Sequence, residues 1–351
     1  MFGIPPKAII AQLKRDLIGK DSHRGVTLTY AWLANQFGHF ALGFIPTFIL
    51  YIVLSHFAQW QHEEFWAALI ISCTWLLFEI YNFLGPLLFK RISKAGHIYM
   101  GGKSRYVFQP SWRFIAFDTS TDVLFFAFGS FACASVINPV LYWNIMVMII
   151  VFVLLLYPIA FWFTNKMYLM NASFPKQFRL SQWDFEISDA NRSSVLELID
   201  DHEGKHVMIF GSVQHGKSEL AVGLATQLAT KKVRCSYHTG TKLYSRFYLP
   251  TEPGHEQLLW DWYSSDCLIV DDINSGNPVR IDNVTPEELY DYILGNDQGQ
   301  RNIPLLRDKH VIWVMGEVHP EVRSLEFENW QSMLKQIGVD DSRIIVIDLG
   351  D

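Results

Sequence analysis

The chain has 351 residues, 50% hydrophobic and 18% charged, with a net charge of −6. That acidic balance excludes a strong nonspecific attraction to nucleic acid, so no nucleic-acid partner is indicated. Its four cysteines are too scattered for a C-x-x-C or Cys/His cluster, which excludes a disulfide framework or a zinc site.

Residues 1–38 form a basic arm without the basic-then-apolar signature of a signal peptide, so no cleavage is expected. Ile9, Ile10, Leu13 and Leu17 recur at helical spacing beside Lys7, Lys14 and Arg15. The pattern predicts an amphipathic helix within 5–38 that lies at lipid headgroups or docks on a partner protein.

Four apolar stretches follow, at 39–57, about 65–89, 121–140 and 141–163. At ~1.5 Å per residue, each is long enough to cross a hydrocarbon core of about 30 Å. The run from Ile145 to Leu156 has no polar face, which argues against helices buried in a soluble core. Gly85-Pro86 predicts a break in the second stretch, and Asn138-Pro139 a turn after the third.

Lysines and arginines set the expected orientation. Lys7, Lys14, Arg15, Lys20 and Arg24 precede the first stretch. Lys90, Arg91, Lys94, Lys103, Arg105 and Arg113 separate the second from the third, and Lys166, Lys176 and Arg179 follow the fourth. The two opposite loops, 59–64 and the Asn138-Pro139 turn, carry none. The positive-inside bias predicts a four-helix transmembrane domain at 39–165, with both termini and a loop at 90–120 in the cytoplasm. The expected location is the bacterial inner (plasma) membrane. Trp60, Trp66 and Trp143 then fall at the outer interface and Trp162 near the inner one. Glu79 falls inside the second stretch, where a carboxylate is costly unless paired or neutral. It is expected either to bond with His39, Asn82 or Asn144 as interhelical glue, or to serve a small transporter. Asp118 and Asp122 are expected at the membrane interface, flanking the third stretch.

Residues 166–204 read as a juxtamembrane linker, and 205–351 as a single α/β domain. Strands are predicted at 207–210, 233–238, 267–271, 310–315 and 343–347, with helices at 218–230, 256–264, 286–294 and 324–337. This alternation predicts a five-stranded, mainly parallel sheet with helices on both faces. Thr285, Pro286, Glu287 and Glu288 carry the signature of a capped helix start.

The first predicted strand runs into Gly211, Ser212, Val213, Gln214, His215, Gly216, Lys217 and Ser218, and a helix follows from Glu219. This is G-x-x-x-x-G-K-[ST] in the strand–loop–helix context it needs. The glycines let backbone N–H groups turn inward around a phosphate, Lys217 supplies a point charge, and the Ser218 hydroxyl suits Mg²⁺. The helix start adds its positive end to the same anion. His215 is expected to contact a phosphate or merely to fill space. A second motif is the apolar run from Cys267 to Val270, which ends in Asp271 and Asp272. An acid at that strand end is suited to holding a metal ion near Ser218, and the next acid to orienting or deprotonating a water.

With these two motifs the chain resembles the P-loop NTPases, specifically the additional-strand division that includes the AAA+ and initiator/helicase-loader ATPases. The resemblance covers about 205–351 and does not reach the four apolar stretches. It implies a P-loop NTPase fold that binds ATP and Mg²⁺, with Ser218 and Asp271 as metal ligands and Asp272 as the acid facing water. In that division one strand separates the loop strand from the acidic strand, and the run 233–238 is expected to fill that place. The chain departs from the family in having Asp271-Asp272 where Asp-Glu is usual. A polar sensor usually ends the next strand, and here Gly316-Glu317 stands there. Glu317 is either its substitute in positioning water or a solvated turn acid. Arg301, Arg307 and Arg323 are candidates for an arginine finger acting in trans. The chain ends at the fifth strand, so no helical lid is expected, and no Asn-Lys-x-Asp signature of guanine recognition follows the acidic strand.

The leading expectation is a membrane-embedded ATPase, either a homo-oligomer or a subunit of a larger membrane complex. Hydrolysis would drive work on a partner in assembly, secretion or transport. The alternatives are a nucleotide-binding scaffold with little hydrolysis and a small transporter that uses Glu79.

Overall fold

The apolar stretches fold into helices that extend beyond the apolar residues themselves. The computed structural model describes residues 3–17, 28–58, 60–89, 91–92, 98–100, 103–200, 204–212, 214–248, 259–273, 284–295, 297–316 and 323–350. Its first five helices are α1 (Pro6–Leu17), α2 (Leu28–Phe57), α3 (Glu63–Phe89), α4 (Trp112–Ile137) and α5 (Tyr142–Ala172). Four segments are long and apolar enough to cross a membrane: Trp32–Phe57, Glu63–Leu88, Trp112–Ile137 and Tyr142–Ala172.

In the arm, α1 covers Pro6–Leu17 and α2 starts at Leu28, and the residues between lie outside the described ones. One expectation is corrected here: Gly85-Pro86 does not interrupt α3, because one proline removes a single N–H bond and the last turn keeps the others. Helix α4 begins at Trp112, so Asp118 and Asp122 lie within it. Asp122 is tolerated there because Gln36 of α2 donates a 2.9 Å hydrogen bond to it.

The chain divides into two units, one of Met1–Lys90 with Pro110–Lys166 and one of Arg91–Gln109 with Met167–Asp351. In the helical unit, α2, α3 and α4 pack together. Small residues let α2 and α4 touch backbone to backbone. A Cβ on Gly43 would lie 2.1 Å from the Phe126 carbonyl oxygen, and one on Gly129 would lie 2.1 Å from that of Phe40. Trp75 of α3 stacks on Phe126 at 4.3 Å and donates to the Leu42 carbonyl. Helix α5 joins through rings, with Phe117–Phe161 at 4.9 Å and Phe128–Phe152 at 5.7 Å. Ile49, Leu77, Leu88 and Val153 point outward, as lipid-facing residues do.

The second unit contains two sheets. Strands β1 (Arg91–Ile92), β2 (Ile98–Met100) and β3 (Lys103–Tyr106) form a small antiparallel sheet within the segment read as a loop. The larger sheet has β4 (His206–Phe210), β5 (Cys235–Thr239), β6 (Cys267–Asp271), β7 (His310–Val314) and β8 (Ile344–Asp348), all parallel, in the order β5-β6-β7-β4-β8. The strand between the loop strand and the acidic strand is therefore β7, and not 233–238. The burial explains why. All five residues of β7 are buried, as a central parallel strand requires, whereas Tyr237, His238 and Thr239 of β5 are only partly covered at the edge.

Helices α6 (Asp189–Asp200), α7 (Lys217–Thr230), α8 (Gly240–Phe247), α9 (Pro286–Leu294), α10 (Gly299–Arg307) and α11 (Arg323–Gln336) complete the unit. Thr285 caps α9 with a reciprocal Glu288 pair, as its sequence predicts. Of the predicted helix at 256–264, the described part 259–264 is not helical, and 262–264 form a turn. Asp261 organises it by accepting from the Trp262 N–H, and Ser264 Oγ accepts from the Asp261 N–H. The segment 166–204 is folded rather than extended. Helix α5 runs into it, Leu180–Gln182 form a 3-10 turn, and α6 packs on β8 and α7. A Cβ on Gly223 of α7 would lie 3.0 Å from Leu180 Cα, so the turn lies directly on that helix. The core between sheet and helices is built around Phe210, Phe247, Trp262, Trp313 and Trp330.

Candidate functional site

Strand β4 ends at Phe210, and the chain must then reverse into α7 within six residues. Gly211 adopts φ +147°, and Gly216, the residue before the helix, adopts φ +71°. At Gly216 space is a second constraint: a Cβ would lie 2.4 Å from the Phe185 ring and 2.7 Å from Trp183 Nε1. Trp183 is fully buried and donates a 2.8 Å hydrogen bond to the Gly216 carbonyl. Phe108, also buried, packs against the Trp183 ring at 5.8 Å. The loop is thus fixed from behind by aromatic side chains that lie outside the motif. Gln214 also takes φ +71°, a left-handed conformation that non-glycine residues adopt at a cost.

The Lys217 ammonium donates to the carbonyls of Gly211 at 2.6 Å and Ser212 at 2.9 Å, which draws it across the mouth of its own loop. Among the described residues, His215 Nδ1 is buried there without a hydrogen-bond partner. Glu219, in the first turn of α7, pairs with Lys176. Burial alone would raise the Glu219 carboxyl, but the hydrogen bond and charge of Lys176 hold it below the usual range.

The acidic strand end meets this loop. Asp271 is 3% exposed and accepts from Ser218 Oγ at 3.0 Å, from Tyr237 O–H at 2.7 Å and from the Asp272 N–H at 2.9 Å. Burial pushes the Tyr237 phenol above its ordinary value, and its bond to Asp271 adds to the shift. Asp272 sits at φ +50°, a strained position beside the site. Its carboxyl is also raised, first by burial, then by the charge of Asp271, and Lys217 opposes the shift.

The structure therefore brings together Gly211, Ser212, Gln214, His215, Gly216, Lys217, Ser218, Glu219, Asp271 and Asp272. Val213 and Glu317 lie outside the described residues, and Arg323 opens α11 with its side chain outside them. Arg301 donates to the Phe247 carbonyl at 3.1 Å and Arg307 pairs with Asp308, so both are engaged within their own unit. Sequence reasoning missed Tyr237 and Trp183. Tyr237 becomes visible only once β5 is known to lie beside β6, with Thr239 opposite Asp271. Trp183 carries no motif signal.

The donor set suits a magnesium–nucleotide pair. Among the described residues no group of three or more His, Cys, Asp and Glu side chains is arranged to hold a metal by itself. One hydroxyl and one carboxylate 3.0 Å apart fit an ion whose other ligands are phosphate and water.

No family model and no curated protein matches the chain. Among solved structures, one titled "Crystal Structure of the DnaI" is similar over 49% of this chain and 88% of that one, with 14% identity and a TM-score of 0.32.

Proposed function

We propose that the chain is a membrane-anchored ATPase. It binds ATP and Mg²⁺ at 211–218 and couples hydrolysis to work on a partner protein or membrane complex in assembly, secretion or transport. The observation that carries this reading is the 3.0 Å bond between Ser218 and Asp271. It joins the two side chains that hold Mg²⁺ in P-loop NTPases. The parallel sheet with β7 between β6 and β4 fits the additional-strand division.

Ser218 and Asp271 would hold Mg²⁺, which would supply neutralisation of the charge that develops on the phosphate. Tyr237 fixes the Asp271 carboxylate. Lys217 leaves the Gly211 and Ser212 carbonyls for the phosphates, while backbone N–H groups of the loop and the α7 start cradle them. Asp272 orients the attacking water and accepts its proton, and its raised carboxyl makes it a better base than an ordinary aspartate. Glu317 is the proposed second acid at the water, and Arg323 of a neighbouring copy the arginine finger.

The helical unit crosses the bacterial inner membrane four times, with both termini and the 90–120 segment in the cytoplasm, as the positive-inside bias requires. One observation favours a nucleotide-gated scaffold with little turnover instead: β7 runs into Val314, Met315 and Gly316, which offer no polar side chain to the site. Turnover of the purified protein in detergent decides between the two. The ATPase reading expects magnesium-dependent phosphate release that is lost in Lys217→Ala and Asp272→Ala. Tight ATP binding without turnover in the parent would replace it with the scaffold.

A further inference from the structure

Helix α1 presents apolar and basic side chains to the exterior, and nucleotide chemistry uses none of them. Ile9, Ile10 and Leu13 recur at helical spacing and share one face. Ile10 is 59% exposed and Leu13 44%, so this face is not packed into a core. Lys7 and Lys14 are exposed as well, three residues before Ile10 and four after it. That spacing makes both lysines neighbours of Ile10 on the helix surface. The basic side chains thus border the apolar face instead of standing opposite it.

Two lengths limit what the face can meet. A helix of 12 residues spans about 18 Å, too short to cross a hydrocarbon core of about 30 Å. Residues 18–27 separate the end of α1 from Leu28 at the start of α2, a stretch that reaches at most about 36 Å. The apolar segment of α2 begins at Trp32. The helix is therefore tethered within reach of any bilayer that α2 enters, and it cannot span that bilayer. A headgroup layer answers both halves of the face. Its phosphates take the Lys7 and Lys14 ammonium groups, and the acyl boundary beneath takes Ile10 and Leu13. The charge of the arm selects the lipid: residues 1–38 hold five Lys and Arg against two Asp, which favours anionic headgroups.

We propose that α1 docks along the anionic phospholipid surface of the membrane its own chain crosses, with Ile10 and Leu13 inserted and Lys7 and Lys14 at the phosphates. This rests on the reading that the four apolar helices cross a membrane with the arm on its cytoplasmic side, and it does not depend on nucleotide binding. Lipid composition then sets where the arm lies.

The test is hydrogen–deuterium exchange of the full chain in detergent and in phosphatidylcholine nanodiscs made with and without phosphatidylglycerol. The expected result is exchange of the α1 amides slowed at least about tenfold by phosphatidylglycerol. The slowing should vanish when Ile10→Asp and Leu13→Asp are combined, and shrink when Lys7→Gln and Lys14→Gln are combined. All four positions are exposed, so the remaining fold is retained in these variants. Slow exchange in every medium would mean that the protein itself or a second copy covers the helix. Fast exchange in every medium would mean that nothing does. Either result overturns the docking, as does slowing that persists in the Ile10→Asp, Leu13→Asp protein. Alkaline carbonate extraction of the parent separates the two readings. Release of the chain from membranes would overturn membrane insertion and the docking with it, whereas retention without lipid-dependent exchange overturns the docking alone.

Discussion

Asp271 accepts three hydrogen bonds in the candidate site, and it depends on a residue no motif names. Tyr237 holds one of its oxygens while Ser218 and the Asp272 N–H hold the other. A hydrogen bond to a charged group is worth about 1.5–3 kcal/mol. Tyr237→Phe should therefore weaken magnesium-dependent ATP binding roughly tenfold, with less effect on binding without magnesium. Equal losses in both conditions would mean that the phenol only supports packing. A second residue-scale prediction concerns acid stability. Burial lowers His206 to about 3 and His238 to about 4, so both stay neutral in the folded α/β unit when the unfolded chain has already taken up a proton. Stability is complete above about 6.5 and falls as pH drops through the window toward those values, by up to about 1.4 kcal/mol per pH unit for each group. Denaturation midpoints measured from pH 7 to pH 4 should fall less steeply in His206→Gln. An unchanged slope would contradict the assignment.

At the scale of elements, the loop owes its shape to the segment before β4. Phe108 backs Trp183, and Trp183 holds Gly216. Truncating a buried phenylalanine costs about 3–5 kcal/mol, so Phe108→Ala should lower stability by roughly that amount in chemical denaturation and weaken nucleotide binding through the loop. A stability loss below about 1 kcal/mol would contradict this packing. In the helical unit, Gly129→Leu should push α4 off α2, because even a Cβ would meet the Phe40 backbone at 2.1 Å. The expected outcome is loss of the folded protein in detergent by size exclusion, while Gly85→Leu, where a Cβ meets nothing within 4 Å, should be tolerated. The sequence disclosed some of these elements and concealed others. Helices α7, α9 and α11 and all five strands of the larger sheet were legible from periodicity and caps. Helices α8 and α10 were not, since each opens on a glycine and α10 contains Pro304, features that read as loop. The start of α4 was hidden for another reason. Asp118 and Asp122 look like a boundary until Gln36, 86 residues away, is seen to pair with one of them.

At the scale of the whole molecule, the two units carry different chemistry. The motifs at 211–218 and 271–272 identified the side chains that meet in the α/β unit, because both lie at the ends of adjacent-layer elements whose sequence is local. The strand order was not legible in that way. It depends on which apolar strand is buried on both faces, and that is a property of the assembled sheet. Nucleotide binding at the Gly211 loop is tested most directly by equilibrium binding of ATP to the full chain in detergent, with and without Mg²⁺, for the parent and for Lys217→Ala. The expected result is saturable binding that Mg²⁺ strengthens and that Lys217→Ala weakens at least about tenfold, the equivalent of one lost charge-assisted contact. Parent protein that binds no ATP, or a Lys217→Ala variant that binds it equally well, would contradict it.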